Sequence, residues 1–65
     1  MTQVISQYRK SNYFIRVLRF HDGLYFAKLY DYYERKFQEP VYQTRFYSAE
    51  TDARQAANRA TSKGV

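Results

Sequence analysis

The sequence has no cysteine and no tryptophan, one proline, two glycines, and few aliphatic side chains of the Val, Ile and Leu type. Without cysteine the chain can form neither a disulfide framework nor a thiolate metal site, and a reducing compartment is the expected location. No apolar run approaches the roughly 20 residues that span a bilayer, and the first ten residues lack the apolar core of a signal peptide. We therefore expect a cytoplasmic domain with no membrane partner.

What the chain has in quantity is aromatic residues, with 8 Tyr and 5 Phe among 65 residues. A chain of this length forms one small domain and buries about 60% of the surface that its unfolded form exposes. The core must therefore be built from Phe, Tyr ring bodies and Ala. Because no disulfide is available, association with another molecule is the remaining common way to stabilise so small a chain.

Two runs rich in β-branched and aromatic residues, 13–20 and 24–33, flank the strongest turn signal in the chain, His21-Asp22-Gly23. Such runs are typical of strands, and Gly23 can adopt the positive φ that a tight hairpin requires. We therefore predict an antiparallel hairpin.

The loop length decides which side chains of this hairpin share a face. With a three-residue loop, Phe20 lies opposite Leu24 and one face collects Ile15, Val17, Ala27 and Leu29. The other face then collects Phe14, Arg16, Leu18, Phe20, Leu24, Phe26, Lys28 and Tyr30. A two-residue loop, Asp22-Gly23, makes both faces mixtures, so the first register is preferred.

Apolar and polar residues alternate along 41–47, which predicts a third strand with Pro40 at its start. From Ser48, which suits an N-cap, alanines recur at helical spacing and predict a helix over about 49–62. The predicted fold class is α+β: a three-stranded antiparallel β-meander followed by one C-terminal α-helix that covers one sheet face, in two layers.

Residues 1–12 allow two interpretations. Val4 and Ile5 favour a short extra strand, whereas the polar residues around them favour a mobile basic arm. In either case we expect residues 13–65 to form a single folded domain.

A single helix can cover only one face of the sheet, and both faces carry large apolar groups. A contiguous exposed aromatic patch is larger than a soluble monomer normally leaves bare, so we expect the uncovered face to meet a partner. The candidate interface residues are Phe14, Leu18, Phe20, Phe26 and Tyr30. The partner could be a second copy of the chain, another protein, or nucleic acid.

The positive charge is concentrated near the start of the chain. Residues 1–20 contain Arg9, Lys10, Arg16 and Arg19 and no acidic residue. Basic groups interleaved with aromatic rings on a sheet are how many single-strand nucleic-acid binders work. The alternative is that the charges serve solubility and that their aliphatic stems cover apolar sheet surface.

The segment from about residue 25 to 60 resembles the AP2-type and arm-type integrase DNA-binding domains. The resemblance lies in the strand-like runs 25–31 and 41–46 and in an aromatic, a short polar cap and an Ala-Glu start to an alanine-rich helix. It implies a three-stranded antiparallel sheet packed on a C-terminal helix, whose opposite face enters the major groove of DNA.

The resemblance also implies roles for individual residues. Arg16, Lys28 and Arg45 would be the candidates to contact DNA, with Arg9, Lys10 and Arg19 on phosphates. The chain lacks the sheet tryptophan and the glycine-rich, basic lead-in of the plant domains. The Phe and Leu residues beside Arg16 and Lys28 favour a protein partner or a dimer on the same face.

No nucleophile, base and orienting group can be assembled from the sequence, and there is no glycine-rich phosphate loop. We therefore expect no enzymatic activity, no cofactor, no metal site and no small-molecule substrate. The predicted function is that of a small binding module for DNA or RNA. The alternative is a protein-interaction or homodimerising accessory domain that uses the sheet face away from the helix.

Overall fold

The structure, a computed structural model, describes residues 2–20, 23–34 and 38–64. Its elements are β1 Gln3–Lys10, β2 Tyr13–Arg19, β3 Tyr25–Asp31, β4 Tyr42–Gln43 and α1 Glu50–Lys63. The strands form one antiparallel sheet in the order β1-β2-β3-β4, and α1 packs on one face of it. The predicted α+β class is confirmed, and β1 adds a strand to the three that were predicted.

The β2–β3 hairpin adopts the register predicted for a three-residue loop. The Phe20 amide donates to the Leu24 carbonyl at 2.6 Å, and the pairing continues without a shift along both strands. Gly23 has a φ of 88°, which side chains with a Cβ rarely adopt. His21 and Asp22 lie outside the described residues. The two faces of the hairpin are therefore sorted as predicted.

The core lies between α1 and the sheet and combines aliphatic side chains from the strands with alanines from the helix. Its buried members are Ile15, Val17, Ala27, Leu29, Ala53, Ala57 and Ala60. Burial of each of the larger aliphatic side chains contributes about 1.5–3 kcal/mol. The alanines let the helix axis approach the sheet closely, and partly buried tyrosines close the rim of this core.

β1 occupies the segment for which the sequence allowed either a mobile arm or an extra strand. It pairs along most of β2, with a bulge between Val4 and Ser6. The two strands are joined by Ser11 and Asn12, and Ser11 takes a positive φ of 58°. A serine in this conformation is uncommon, so the turn carries no glycine signal that would have revealed the strand.

Polar contacts attach β1 to the helix. The Tyr8 hydroxyl donates to Asn58 Oδ1 at 2.9 Å, and Arg54 Nη2 donates to Ser6 Oγ at 3.2 Å. Arg54 also forms an ion pair with Glu50 at 2.6 Å. Burial raises the pKa of the Tyr8 hydroxyl, an effect that the nearby Arg54 guanidinium partly opposes. β1 is thus attached to β2 through its backbone and to α1 through its side chains.

The predicted strand 41–47 is regular only over Tyr42–Gln43. At the next position the Thr44 amide donates to the Ala27 carbonyl at 2.9 Å, while the Ala27 amide donates to Thr44 Oγ1 at 2.8 Å. A side-chain oxygen thus accepts the bond that a backbone carbonyl would accept in a regular ladder. The chain pairs with β3 again at Tyr47, as an isolated bridge.

The helix begins and ends within one residue of the predicted 49–62. The prediction that Ser48 caps it is wrong, because Ala49 occupies the cap position and no side chain caps the first turn. Glu50 in the first turn and Gly64, with a φ of 71° after the last turn, are placed as helix ends favour.

Candidate nucleic-acid interface

The sheet face opposite α1, called the open face below, carries three rows of side chains that run across the strands. The middle row, called the polar row, consists of Gln7, Arg16, Lys28 and Gln43, each directly opposite the next. The row on one side consists of Arg9, Phe14 and Tyr30. The row on the other side consists of Val4, Leu18 and Phe26. A band of polar and charged groups therefore lies between two largely apolar rows.

Within the polar row, Arg16 and Lys28 face each other across the β2–β3 pair. Like charges directly opposite on neighbouring strands destabilise a sheet. Arg16 Nε donates to Gln7 Oε1 at 3.1 Å, which orients the guanidinium but leaves its charge. The chain thus places two cations where a nearby anion would be stabilising.

The strands themselves supply no carboxylate to this face. Their one acidic residue, Asp31, pairs with Tyr13 and so points to the helix side. Its Oδ1 accepts hydrogen bonds from the amides of Tyr33 and Glu34 at 2.9 and 3.1 Å, which fixes the turn after β3. The open-face surface that the strands form is therefore positive.

The cations of the polar row lie against rings of the neighbouring rows. The Arg16 guanidinium carbon is 5.0 Å from the Tyr30 ring centroid and 5.6 Å from that of Phe14. Lys28 Nζ is 5.9 Å from the Phe26 centroid. Tyr30 and Phe26 are only 3% and 4% exposed, although no described helix covers this face. Both rings therefore lie beneath other side chains, and Arg16 and Lys28 contribute to that cover.

At one end of the open face lies the Arg9 cluster, formed by Arg9, Tyr32 and Tyr33. The Arg9 guanidinium carbon is 4.0 Å from the Tyr32 ring centroid, and Nη2 donates to the Tyr33 hydroxyl at 3.4 Å. The two tyrosine rings meet edge to face at 5.9 Å. Tyr33 is 67% exposed, so this end presents an accessible ring beside a guanidinium.

At the other end lies the phenylalanine cluster, formed by Phe20, Phe26 and Phe46. The Phe46 centroid is 4.8 Å from that of Phe26 and 5.5 Å from that of Phe20. Phe46 remains 47% exposed, and Val4 on β1 is 44% exposed. This end is therefore the most apolar accessible part of the open face.

The structure brings together three of the six basic residues that the sequence proposes for nucleic-acid contact. Arg9, Arg16 and Lys28 share the open face. Lys10 and Arg19 do not, because they pair with Tyr13 and Tyr25, which pack against the core under the helix. Successive strand residues point to opposite faces, so the neighbours Arg9 and Lys10 cannot act on one surface. Arg45 is exposed and follows the regular part of β4.

The five proposed interface residues, Phe14, Leu18, Phe20, Phe26 and Tyr30, lie together on the open face. Leu18, Phe26 and Tyr30 are buried, and Phe14 and Phe20 are half-buried. The face therefore exposes less apolar area than the sequence predicts, and Phe46 and the neighbouring basic side chains contribute to that burial.

Several residues of the open face were missed by sequence reasoning. Gln7 belongs to the strand that the sequence left uncertain, and Gln43 joins the polar row only through the β3–β4 register. Phe46 falls outside the regular strand, so alternation does not assign its face. The pairing of β1 with β2 and of β4 with β3 is the signal needed to find Gln7 and Gln43, whereas Phe46 is placed by its contacts with Phe20 and Phe26.

The helix side has an open cleft of about 160 Å³, lined by Tyr42, Tyr47, Ala56, Arg59, Ala60 and Lys63. It lies across the sheet from the polar row. Among the described residues, no group of three His, Asp or Glu side chains is placed to hold a metal ion. No helix in that part of the chain has the length and apolar character needed to cross a membrane.

No protein-family model matches the chain, and no curated protein or solved structure shows a significant match to it. The geometry of the open face is therefore the basis on which a function is proposed.

Proposed function

We propose that the protein is a non-enzymatic nucleic-acid-binding module that uses the open face. The observation that carries this proposal is the direct opposition of Arg16 and Lys28 in a polar row to which the strands contribute no carboxylate. A phosphate placed between the two cations would convert a repulsive cross-strand pair into two attractive contacts.

The composition of the whole chain supports the same proposal. The net charge of +5 attracts polyanions and accelerates their encounter with the protein. Aromatic rings beside the cations offer surfaces on which bases can stack. The open face is also the face that AP2-type and arm-type integrase domains direct at DNA, and Arg16 and Lys28 lie on it, so a distant relation to those domains belongs to this proposal.

The proposal is tested by removing one cation of the polar row. Lys28→Gln should weaken binding to a fluorescently labelled oligonucleotide, because one phosphate contact is lost. It should also reduce the slope of log K against log salt by about 0.7–0.9, the share of one neutralised phosphate. Fluorescence anisotropy titrations at about 50 and 200 mM salt, a range over which phosphate contacts lose affinity, measure both quantities.

Arg59→Gln is the matched control, since it removes the same charge from the exposed helix side. It should change affinity and salt slope much less than Lys28→Gln does. Equal effects of the two variants would mean that net charge, and no particular face, attracts the oligonucleotide. Phosphate contacts give their highest affinity at low salt. Absence of binding at about 50 mM salt would therefore exclude the proposed function.

A second candidate is self-association or binding of a protein through the same face. The exposure of Phe46 and Val4 beside the buried Phe26 favours it, because exposed apolar groups in one patch mark protein contacts. The same six basic residues would then serve mainly for solubility.

A further inference from the structure

We infer that the ligand of the open face is a single-stranded nucleic acid. Its backbone would cross the Arg16–Lys28 pair, and its bases would stack on the exposed rings at the two ends. This inference rests on the proposed function and names its substrate class. Three features of the open face support it: its width, the rings that lie beside its cations, and the position of its exposed rings.

Where all four strands lie side by side, the sheet is wider than the major groove of duplex DNA. Four strands spaced by about 4.8 Å place the axes of β1 and the short β4 about 14 Å apart before side chains are added. The major groove is about 12 Å wide and admits a helix or a two-stranded ribbon. A duplex groove could therefore not take up the full width of this face, whereas an unpaired strand could lie across it.

The cations of the open face lie close to aromatic rings of the same molecule. The Arg16 guanidinium is near Tyr30 and Phe14, Lys28 Nζ is near Phe26, and the Arg9 guanidinium is near Tyr32. Cations interleaved with rings form a surface on which an unpaired strand can lie, with its phosphates near the charges and its bases near the rings.

The most accessible rings of the open face lie at its two ends, on opposite sides of the polar row. Tyr33, in the Arg9 cluster, is 67% exposed, and Phe46, in the phenylalanine cluster, is 47% exposed. Exposed rings thus lie on both sides of the Arg16–Lys28 pair, where bases of an unpaired strand that crosses the pair can stack.

The test compares labelled oligonucleotides of about 12 nucleotides, within the span that single-strand binders cover. The probes are oligo(dT), oligo(U) and a mixed-sequence duplex of the same length, titrated with the full chain. We expect both single strands to bind at least about tenfold more tightly than the duplex. The two single-stranded probes separate DNA from RNA, a difference that the open face does not decide.

Phe46→Leu is the matching variant, because it removes a stacking ring and keeps an apolar side chain beside Phe20 and Phe26. It should weaken single-strand binding about tenfold, as expected for the loss of one stacked base, without changing the salt slope. Tyr42→Leu is the control, since Tyr42 is an exposed aromatic on the helix side. It should leave binding nearly unchanged.

The possible outcomes distinguish a failure of the single-strand preference from a failure of nucleic-acid binding itself. Duplex binding as tight as single-strand binding would overturn the inference while leaving nucleic-acid binding intact. Loss of affinity in Lys28→Gln with none in Phe46→Leu would also overturn it, because charge alone would then explain recognition. Binding of no probe at about 50 mM salt, the favourable condition for phosphate contacts, would overturn the proposed function itself. Circular dichroism melts of each variant confirm that it is folded.

Discussion

Among single residues, Thr44 has a structural role that the sequence does not predict. It is 4% exposed, and its hydroxyl accepts the Ala27 amide at 2.8 Å and donates to the Arg45 carbonyl at 2.9 Å. Ala27 is fully buried, so this hydroxyl satisfies an amide that water cannot reach. Thr44 therefore ends the regular strand and stabilises the sheet by the same contact.

Thr44→Val should destabilise the protein by about 1–3 kcal/mol, because it leaves the buried Ala27 amide without its acceptor. For a domain of this size, each kcal/mol lowers Tm by about 4–8 °C. Thermal unfolding followed by circular dichroism measures the shift. Thr44→Ser keeps the hydroxyl and should retain most of the stability. A valine variant as stable as the native chain would show that the amide finds another acceptor.

Other single residues of the site follow from the hairpin register alone. Once Phe20 is placed opposite Leu24, Arg16 must face Lys28, so the central pair of the polar row can be predicted from the sequence. Gln7 cannot, because it depends on a strand that contains a bulge and is followed by a serine turn. The exposure of Phe46 depends on how three rings pack, which residue spacing does not determine.

At the scale of elements, β1 is attached both to the neighbouring strand and to the helix. Its backbone pairs with β2, and its side chains reach α1 through Tyr8–Asn58 and Ser6–Arg54. Arg54 lies 5.7 Å from the Tyr8 ring centroid, and its Nε has no hydrogen-bond partner among the described residues. Because Gln7 and Arg9 sit on β1, the attachment of this strand also positions part of the open face.

Tyr8→Phe should lower the free energy of unfolding by about 1 kcal/mol, since it deletes the hydrogen bond to Asn58 and keeps the ring. Urea denaturation at neutral pH measures the change. Tyr42→Phe removes a hydroxyl from an exposed tyrosine and should have little effect. Equal effects of the two substitutions would show that the Tyr8 hydroxyl does not hold β1 to the helix.

We also expect the stability that the Tyr8 hydroxyl contributes to depend on pH. Burial raises the pKa of Tyr8 in the folded chain, so the folded state keeps its proton at a pH where the unfolded state loses it. The contribution of this hydroxyl is therefore fully present below about pH 10, the ordinary tyrosine pKa, and is lost as pH rises through the raised value. The stability difference between the native chain and Tyr8→Phe should shrink over that range.

The elements that sequence reasoning identified are those with local signals. The hairpin has Gly23 in its loop, and the helix has alanines at 53, 57 and 60, so short-range patterns suffice for both. β1 lacks a glycine at its turn, where Ser11 takes the positive φ instead. β4 is cut short by a side-chain hydrogen bond from across the sheet, an interaction that no pattern within residues 41–47 contains.

At the scale of the whole molecule, the small accessible apolar area of the open face leads us to expect a monomer. The sequence predicts a bare aromatic face, but Leu18, Phe26 and Tyr30 are buried by their neighbours. A standard protein interface removes about 800 Å² from each partner. The chain exposes 4466 Å² in total, so such a contact would take about a fifth of its surface. The accessible apolar groups of the open face, centred on Phe46 and Val4, are a small part of that requirement.

Charge adds a second reason to expect a monomer. Two copies meeting through their open faces would bring two Arg16–Lys28 pairs together, and each copy carries a net charge of +5. Repulsion between these groups is strongest at low salt, where the Debye length is about 30 Å at 0.01 M. We therefore predict that the protein sediments as a monomer at micromolar concentration in analytical ultracentrifugation at low salt, and that a short single-stranded oligonucleotide shifts it to a 1:1 complex.

A dimer at micromolar concentration without oligonucleotide would contradict this prediction and favour the interaction-module alternative. Phe46→Glu then identifies the surface, because a charge at an exposed ring of the open face would disrupt a dimer built on it. Tyr42→Glu places the same charge on the helix side and should leave such a dimer intact. If neither substitution changes the sedimentation of a dimer, the contact lies away from both the phenylalanine-cluster end of the open face and the Tyr42 side of the sheet.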